Sequence, residues 1–281
     1  MSIAFIGGGN MATALITGLV KNGWQRTAMR VVEIDAAARE RLTRELRVSA
    51  AVGIEAVKGA ECVVLAVKPQ HMRDAARELA SVVGDALVIT IAAGIRYVDL
   101  SRWLGGHTRI VRAMPNTPAL ALAGMTGLYA PATVSHEDRA RAEQILGAAG
   151  KTVWVDDEAH IDAITAVSGS GPAYVFYFIE ALQQAATQLG FTPETARMLA
   201  LETFRGAVKL ATESSEDAAV LRARVTSKGG TTERAIAELE RSGVRDAILR
   251  AARAAAERSR ELGEALGGDK AAPVPTNGAP R

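Results

Sequence analysis

The apolar run Ile3-Ala4-Phe5-Ile6 breaks at Gly7-Gly8-Gly9 and resumes in Asn10-Met11-Ala12, where a helical pattern with Ala12, Leu15, Ile16, Leu19 and Val20 on one face continues to Lys21. A buried strand, a glycine turn and an amphipathic helix in direct succession are the first βα unit of a parallel sheet. In this G-x-G-x-x-G/A spacing, Gly7 permits the tight turn, Gly9 lets backbone approach a pyrophosphate, and Ala12 lets the helix pack closely on the strand. The free N–H groups and partial positive charge of the helix N-terminus face the same point. The turn therefore reads as a dinucleotide site, contributed by Ile6, Gly7, Gly8, Gly9, Asn10 and Met11.

The same alternation continues through the first half of the chain. Strands are predicted at residues 3–6, 30–33, 62–67, 87–91 and 109–113, with weaker signals at 48–50, 127–130 and 151–155. Helical stretches lie between them at 36–46, 70–82 and 136–148, the last with Ser135 as N-cap. The expected architecture is α/β: an N-terminal Rossmann-type doubly wound sheet over residues 1–157, followed by an all-α C-terminal domain over 158–266. Residues 267–281, with Pro273, Pro275, Gly278 and Pro280, read as a disordered tail.

In the second half, Gly171-Pro172 opens a helix to Leu189 and further helices are predicted from Thr192, over 232–240 and over 244–262. The segment Ala173-Tyr174-Val175-Phe176-Tyr177-Phe178-Ile179 is apolar around nearly its whole circumference, more than one small helical domain can cover, which predicts a subunit interface.

Composition closes off other classes. Thirty-three basic residues against 31 acidic ones give no charge excess for nucleic acid, and no run approaches the roughly 20 apolar residues of a membrane helix. The single cysteine, Cys62, falls in an apolar strand and is expected to be a buried structural thiol. Neither metal-ligand spacing nor a G-x-S-x-G elbow is present, so no metal site is expected. A cytoplasmic setting is expected.

Ligands of open α/β sheets bind beyond the carboxyl ends of the strands. Glu33 and Asp35 stand there, about 24 residues after Gly9, where a carboxylate accepts hydrogen bonds from an adenosine ribose and repels a 2′-phosphate. NADH is thereby favoured over NADPH; the other reading of Asp35 is a helix N-cap before Ala36, and Arg39 and Arg41 lie close enough to soften the repulsion. Ala66-Val67-Lys68-Pro69 ends a second strand, with Lys68 directed either to the cofactor or to solvent. Ile91-Ala92-Ala93-Gly94 ends a third, its small side chains suited either to a flat nicotinamide or to close packing. Arg112-Ala113-Met114-Pro115-Asn116-Thr117-Pro118 is a proline-bracketed loop that either contacts ligand or simply connects. In the helical half, Ser168-Gly169-Ser170-Gly171-Pro172 and Thr226-Ser227-Lys228-Gly229-Gly230-Thr231-Thr232 are either ordinary caps or, in the second case, a cradle for a carboxylate.

Taken in order, these motifs resemble one family, pyrroline-5-carboxylate reductase, over about residues 3–265. The resemblance implies that NADPH or NADH lies along Ile6 to Met11, Ala66 to Pro69 and Ile91 to Ala93, with Glu158 near the nicotinamide end. It places the imine carboxylate at Gly229, Gly230 and Thr231, with Asn116 and Ser170 also lining the substrate site. Thr232 hydrogen-bonds the ring nitrogen as the catalytic group. A homodimer through the helical domain, commonly five dimers in a decamer, is implied, with sites completed by the partner's helices. Two departures stand out: Lys228 where the family commonly has proline, and Glu33 and Asp35 where many members have small hydroxyl residues. The rivals are a related cyclic ketimine or β-hydroxy acid reductase, the latter lacking its expected lysine within 174–189, and a non-catalytic dinucleotide-sensing protein.

Overall fold

The computed structural model describes residues 1–268. The chain divides into two compact units, 1–170 together with 254–268, and 171–253.

The first unit contains one eight-stranded sheet. Its strands are β1 (Ile3–Ile6), β2 (Met29–Val32), β3 (Ser49–Ala51), β4 (Cys62–Leu65), β5 (Leu87–Thr90), β6 (Ile110–Met114), β7 (Gly124–Tyr129) and β8 (Gly150–Trp154). They lie in the order β3-β2-β1-β4-β5-β6-β7-β8. The first six are parallel and reverse direction of growth between β1 and β4, the dinucleotide-fold arrangement. β7 runs antiparallel to β6, with Arg112 opposite Tyr129, and β8 is parallel to β7. An all-parallel continuation is thus corrected: Asn116 to Leu122 forms a short return at the carboxyl edge rather than a crossover, so the next strand must run back.

Burial on both faces explains the continuous apolar strands. Ile3, Phe5, Cys62, Val64, Leu87 and Ile89 face one core with α1 (Asn10–Lys21) and α5 (His136–Gly147), which supply Leu15, Leu19 and Leu146. Ala4, Ile6, Val63, Leu65 and Val88 face the other, with α3 (Met72–Ala80) and α4 (Tyr97–Trp103) supplying Met72, Leu79, Leu100 and Trp103. Each large side chain so buried contributes about 1.5–3 kcal/mol. The Cys62 thiol lies in the first core, and burial pushes its pKa far up, so it is an apolar filler. Ser135 caps α5 by accepting from the Asp138 N–H. The predicted helix over 36–46 is α2 (Ala36–Arg41) followed by a π-helical turn, Leu42–Leu46, and α4 was not anticipated at all.

The first compact unit runs on to Ser170, past the domain boundary expected at Asp157. The reason is that α6 (His160–Ile164) and the π-helical turn Thr165–Gly169 pack on the sheet: Ile161 and Ala166 are buried. Near the C-terminus, α11 (Val244–Gly267) outruns its expected end at Leu262, and from Ala254 onward it belongs to the first unit. Gly267 is therefore helical; of the tail expected at 267–281, the part from residue 269 onward lies outside the described residues.

The second unit holds α7 (Gly171–Gln188), α8 (Pro193–Glu213), α9 (Ala218–Arg224), α10 (Thr231–Arg241) and the start of α11. α7 and α8 form a hairpin whose turn is Gly190, followed by the Thr192 cap and Pro193. Only Ala196 and Ala200 are fully buried among the apolar residues of this unit, while Phe176 is 63% and Tyr177 71% exposed. So little core in one chain leaves this unit a large exposed apolar surface. Among the described residues no helix is long and apolar enough to cross a membrane.

Candidate active site

The glycine turn after β1 has the geometry of an anion seat. Gly7 has φ +97° and lies so close to β4 that a Cβ would stand 2.8 Å from the Ala66 carbonyl oxygen, so any side chain is excluded twice over. Its N–H donates to the Val32 carbonyl at 2.8 Å, fixing the turn against β2. Gly8 is buried, whereas Gly9 and Asn10 are exposed, Met11 is half-buried and the space before Gly9 is open. Gly9 caps α1 with no side chain, so the first-turn N–H groups are left to a ligand. A pyrophosphate fits this chemistry.

Beside it, Glu33 follows β2 with both oxygens engaged: Oε2 accepts from the Gly8 N–H at 2.7 Å and Oε1 from the Asp35 N–H at 2.9 Å. The carboxylate thereby braces the glycine turn and retains lone pairs for a ribose hydroxyl. Asp35 follows its N-cap reading, its Oδ1 accepting from the Ala38 N–H at 2.7 Å. Arg39 donates to the Glu33 and Ile34 carbonyls, both at 2.8 Å, and Arg41 to the Gly8 carbonyl at 3.4 Å. Both arginines thus serve the backbone of this corner.

At the end of β4, Ala66 bonds to the Ile6 carbonyl at 2.8 Å, Val67 is half-buried, Lys68 is exposed, and Pro69 begins a single 3-10 turn. After β5, the Ile91 N–H donates to the Leu65 carbonyl at 3.2 Å, Ala92 is buried and Ala93 half-buried. Gly94 is packed against α11, since a Cβ there would meet Leu262 Cβ at 3.3 Å. These three strand ends and the glycine turn share the carboxyl edge of the sheet, as the topology demands.

A charged cluster lies on the same edge. Arg112, 2% exposed in the middle of β6, donates from Nη1 to Glu158 Oε1 at 2.9 Å and from Nη2 to Asp162 Oδ1 at 3.5 Å. Glu158 Oε1 also accepts the Tyr97 N–H at 2.7 Å, and Asp162 Oδ1 accepts the Ser259 hydroxyl at 2.6 Å. Burial raises the pKa of the Tyr97 and Tyr129 hydroxyls, and the Glu158 carboxylate raises both further, so they stay neutral donors. The reading of the residues alone passed over this hub. Its signal was an arginine inside Ile110-Val111-Arg112-Ala113, because a guanidinium in a buried strand requires partners.

Asn116 is spent largely on the protein. Its Nδ2 donates to the Ser168 carbonyl at 2.9 Å and its Oδ1 accepts the Met125 N–H at 2.8 Å, tying the proline loop to β7 and to the π-helical turn. Ser170, half-buried, closes that turn through its N–H to the Thr165 carbonyl at 2.7 Å.

The second glycine turn lies in the helical unit. Gly229 has φ +73°, and the Gly230 N–H donates to the Ser227 carbonyl at 3.0 Å. Gly230 caps α10 without a side chain; Thr231 and Thr232 are its first two residues, Thr232 half-buried. The Gly229 N–H donates to Glu233 Oε2 at 2.7 Å, so a carboxylate already sits on the proposed cradle. Lys228 is exposed.

Comparison with known proteins places this arrangement. Residues 158–262 match the family model described as pyrroline-5-carboxylate reductase dimerisation, and residues 2–94 match that described as NADP oxidoreductase, coenzyme F420-dependent. The pyrroline-5-carboxylate reductase of Pseudomonas aeruginosa is 45% identical over 94% of this chain and 98% of its own. A solved pyrroline-5-carboxylate reductase from Coxiella burnetii superposes with a TM-score of 0.88 at 42% identity, covering 93% of this chain and 98% of that one. The Plasmodium falciparum pyrroline carboxylate reductase, solved with NADP bound, gives a TM-score of 0.84 at 26% identity, covering 94% and 98%. A dinucleotide-type sheet, a dimerisation domain and near-complete coverage by named relatives together establish that this chain belongs to the pyrroline-5-carboxylate reductase family.

Proposed function

We propose that this chain reduces the cyclic imine 1-pyrroline-5-carboxylate to L-proline with a reduced nicotinamide dinucleotide, the last step of proline biosynthesis. The observation that carries this reading is 45% identity to a named reductase over 94% of the chain and 98% of that reductase. When bound, the reduced nicotinamide supplies the hydride. Gly9, Asn10 and Met11 hold the pyrophosphate by backbone N–H groups, Gly7, whose own N–H is bound to the Val32 carbonyl, shapes the turn that presents them, and Ala66 to Pro69 and Ile91 to Ala93 border the dinucleotide.

In the helical unit, the N–H groups of Gly229 and Thr231 take the substrate carboxylate, and Gly230, whose N–H is bound to the Ser227 carbonyl, lines the seat between them. The carboxylate of Glu233 at 2.7 Å from the Gly229 nitrogen supports the chemistry of that seat, and substrate displaces it. The Thr232 hydroxyl oxygen accepts one hydrogen bond from the protonated ring nitrogen. The nitrogen is already protonated in the reactive iminium, so hydride addition to the imine carbon, which becomes C5 of proline, converts C=N to C–N and leaves the proton on nitrogen. Positioning then lowers the barrier without a strong acid. Ser170 borders the substrate, and Asn116 acts by fixing the loop that does. Homodimers form through α7, with assembly into a decamer.

Glu33 accepts a ribose hydroxyl and disfavours a 2′-phosphate, so NADH is the preferred donor. Side-by-side assays of NADH and NADPH oxidation with pyrroline-5-carboxylate and with piperideine carboxylates test both statements. Turnover with the five-membered imine is expected. Cofactor binding without oxidation by any cyclic imine defeats the reductase reading in favour of a dinucleotide sensor, and a tenfold preference for NADPH defeats the role given to Glu33.

A further inference from the structure

A buried guanidinium is costly unless paired, and Arg112 is paired twice, with Glu158 and Asp162 of one segment far along the chain. Its location gives the pairing meaning. Arg112 lies in register beside Thr90, the last residue of β5, and Glu158 holds the N–H of Tyr97, where α4 begins just beyond the Ile91 to Arg96 loop. The cluster therefore stands at the carboxyl edge on the β5–β6 side. The glycine turn follows β1, and Glu33 follows β2. In a sheet of this order a dinucleotide spans the reversal between β1 and β4; with the adenosine ribose toward β2, the nicotinamide half falls toward β4 and β5.

We propose that Arg112 is a positioning residue for the nicotinamide half of the cofactor site. It fixes the Glu158 carboxylate in one orientation against the N-terminus of α4. Through Asp162 it joins that carboxylate to Ser259 on α11, 2.6 Å from Asp162 Oδ1. Leu262 and Leu266 of the same helix press on Gly94. One stretch of α11 thus secures the Ile91 to Tyr97 loop by an apolar contact at Gly94 and by a charged relay at Tyr97. The inference rests on the dinucleotide reading of the first unit and not on which imine is reduced.

A residue that only filled space would weaken every dinucleotide fragment alike when replaced. Titration calorimetry of the full chain with NADH and with ADP-ribose, which lacks the nicotinamide, separates the cases. For Arg112→Met, NADH affinity is expected to fall about tenfold and ADP-ribose affinity less than about twofold, the scale of one lost charge-assisted hydrogen bond. Arg112→Lys keeps the charge but cannot span both carboxylates, and should fall between. Equal losses for the two ligands, or unchanged NADH affinity, overturn the proposal. If the Met variant does not fold, the Lys variant decides: a wild-type ratio of NADH to ADP-ribose affinity overturns it. A wild-type chain that binds both ligands but reduces no imine removes the substrate assignment and leaves this inference standing, whereas one that binds neither removes both.

Discussion

Two glycine turns open helices in this chain, and they are braced differently. At Gly7 to Gly9 the brace is Glu33, a side chain from a neighbouring strand, and the turn is pressed onto β4. At Gly229 and Gly230 the brace is Glu233, four residues on and solvent-exposed, with open space around Gly229. The first is set by the sheet before any ligand arrives. The second is held by a local carboxylate that a ligand carboxylate can replace. A fixed seat suits a cofactor that is common to every turnover, and an exchangeable one suits a substrate that must enter and leave.

Substitutions can break or sharpen this contrast. The largest effect is expected for Gly7→Val, which combines a positive φ with a backbone collision. NADH binding by calorimetry should be lost, and stability should fall by about 2–4 kcal/mol in denaturant titration. Gly229→Ala, at φ +73° but in open space, should cost only about 1–2 kcal/mol. Equal costs would erase the distinction.

Thr232→Ala comes next, lowering kcat by roughly 10-fold to 1000-fold with NADH affinity retained. Unchanged kcat and KM would remove Thr232 from the reaction. Glu33→Ala should weaken NADH about tenfold and NADPH less, narrowing any preference in paired kinetic assays. A uniform loss would mean that Glu33 only braces the turn. The smallest effect is expected for Glu233→Gln: KM for the imine should fall about two- to threefold, because a neutral amide holds the Gly229 N–H less firmly than a carboxylate. A rise in that KM would show that Glu233 assists substrate rather than yielding to it.

Legibility in the sequence followed locality. β1, β4 and β5 stand out because both faces are buried, which makes their residues apolar without interruption. β7 was read from Gly127 although it starts at Gly124, since Gly124 and Gly127 hide its apolar pattern. α4 was missed because it is barely two turns long and contains Asp99, whose burial depends on Arg96 and Arg102. Of the site, the glycine turn could be read directly, since its requirements are backbone requirements. The engagement of Glu33 with Gly8, of Glu158 with Arg112 and of Asn116 with Ser168 could not, because each joins residues far apart in the chain. The family resemblance brought in Glu158 but not the arginine that orients it.

The return of α11 to the first unit also has a consequence for how the protein is made. Residues 254–268 emerge from the ribosome only after all of 171–253, yet they supply Ser259, Leu262 and Leu266 to the loop beyond β5. Domains otherwise tend to fold in order of synthesis. Here the N-terminal unit is the last to be completed, and a nascent chain halted before Ala254 carries the whole glycine turn but an Ile91 to Tyr97 loop held at Tyr97 by Glu158 and without its α11 contact at Gly94.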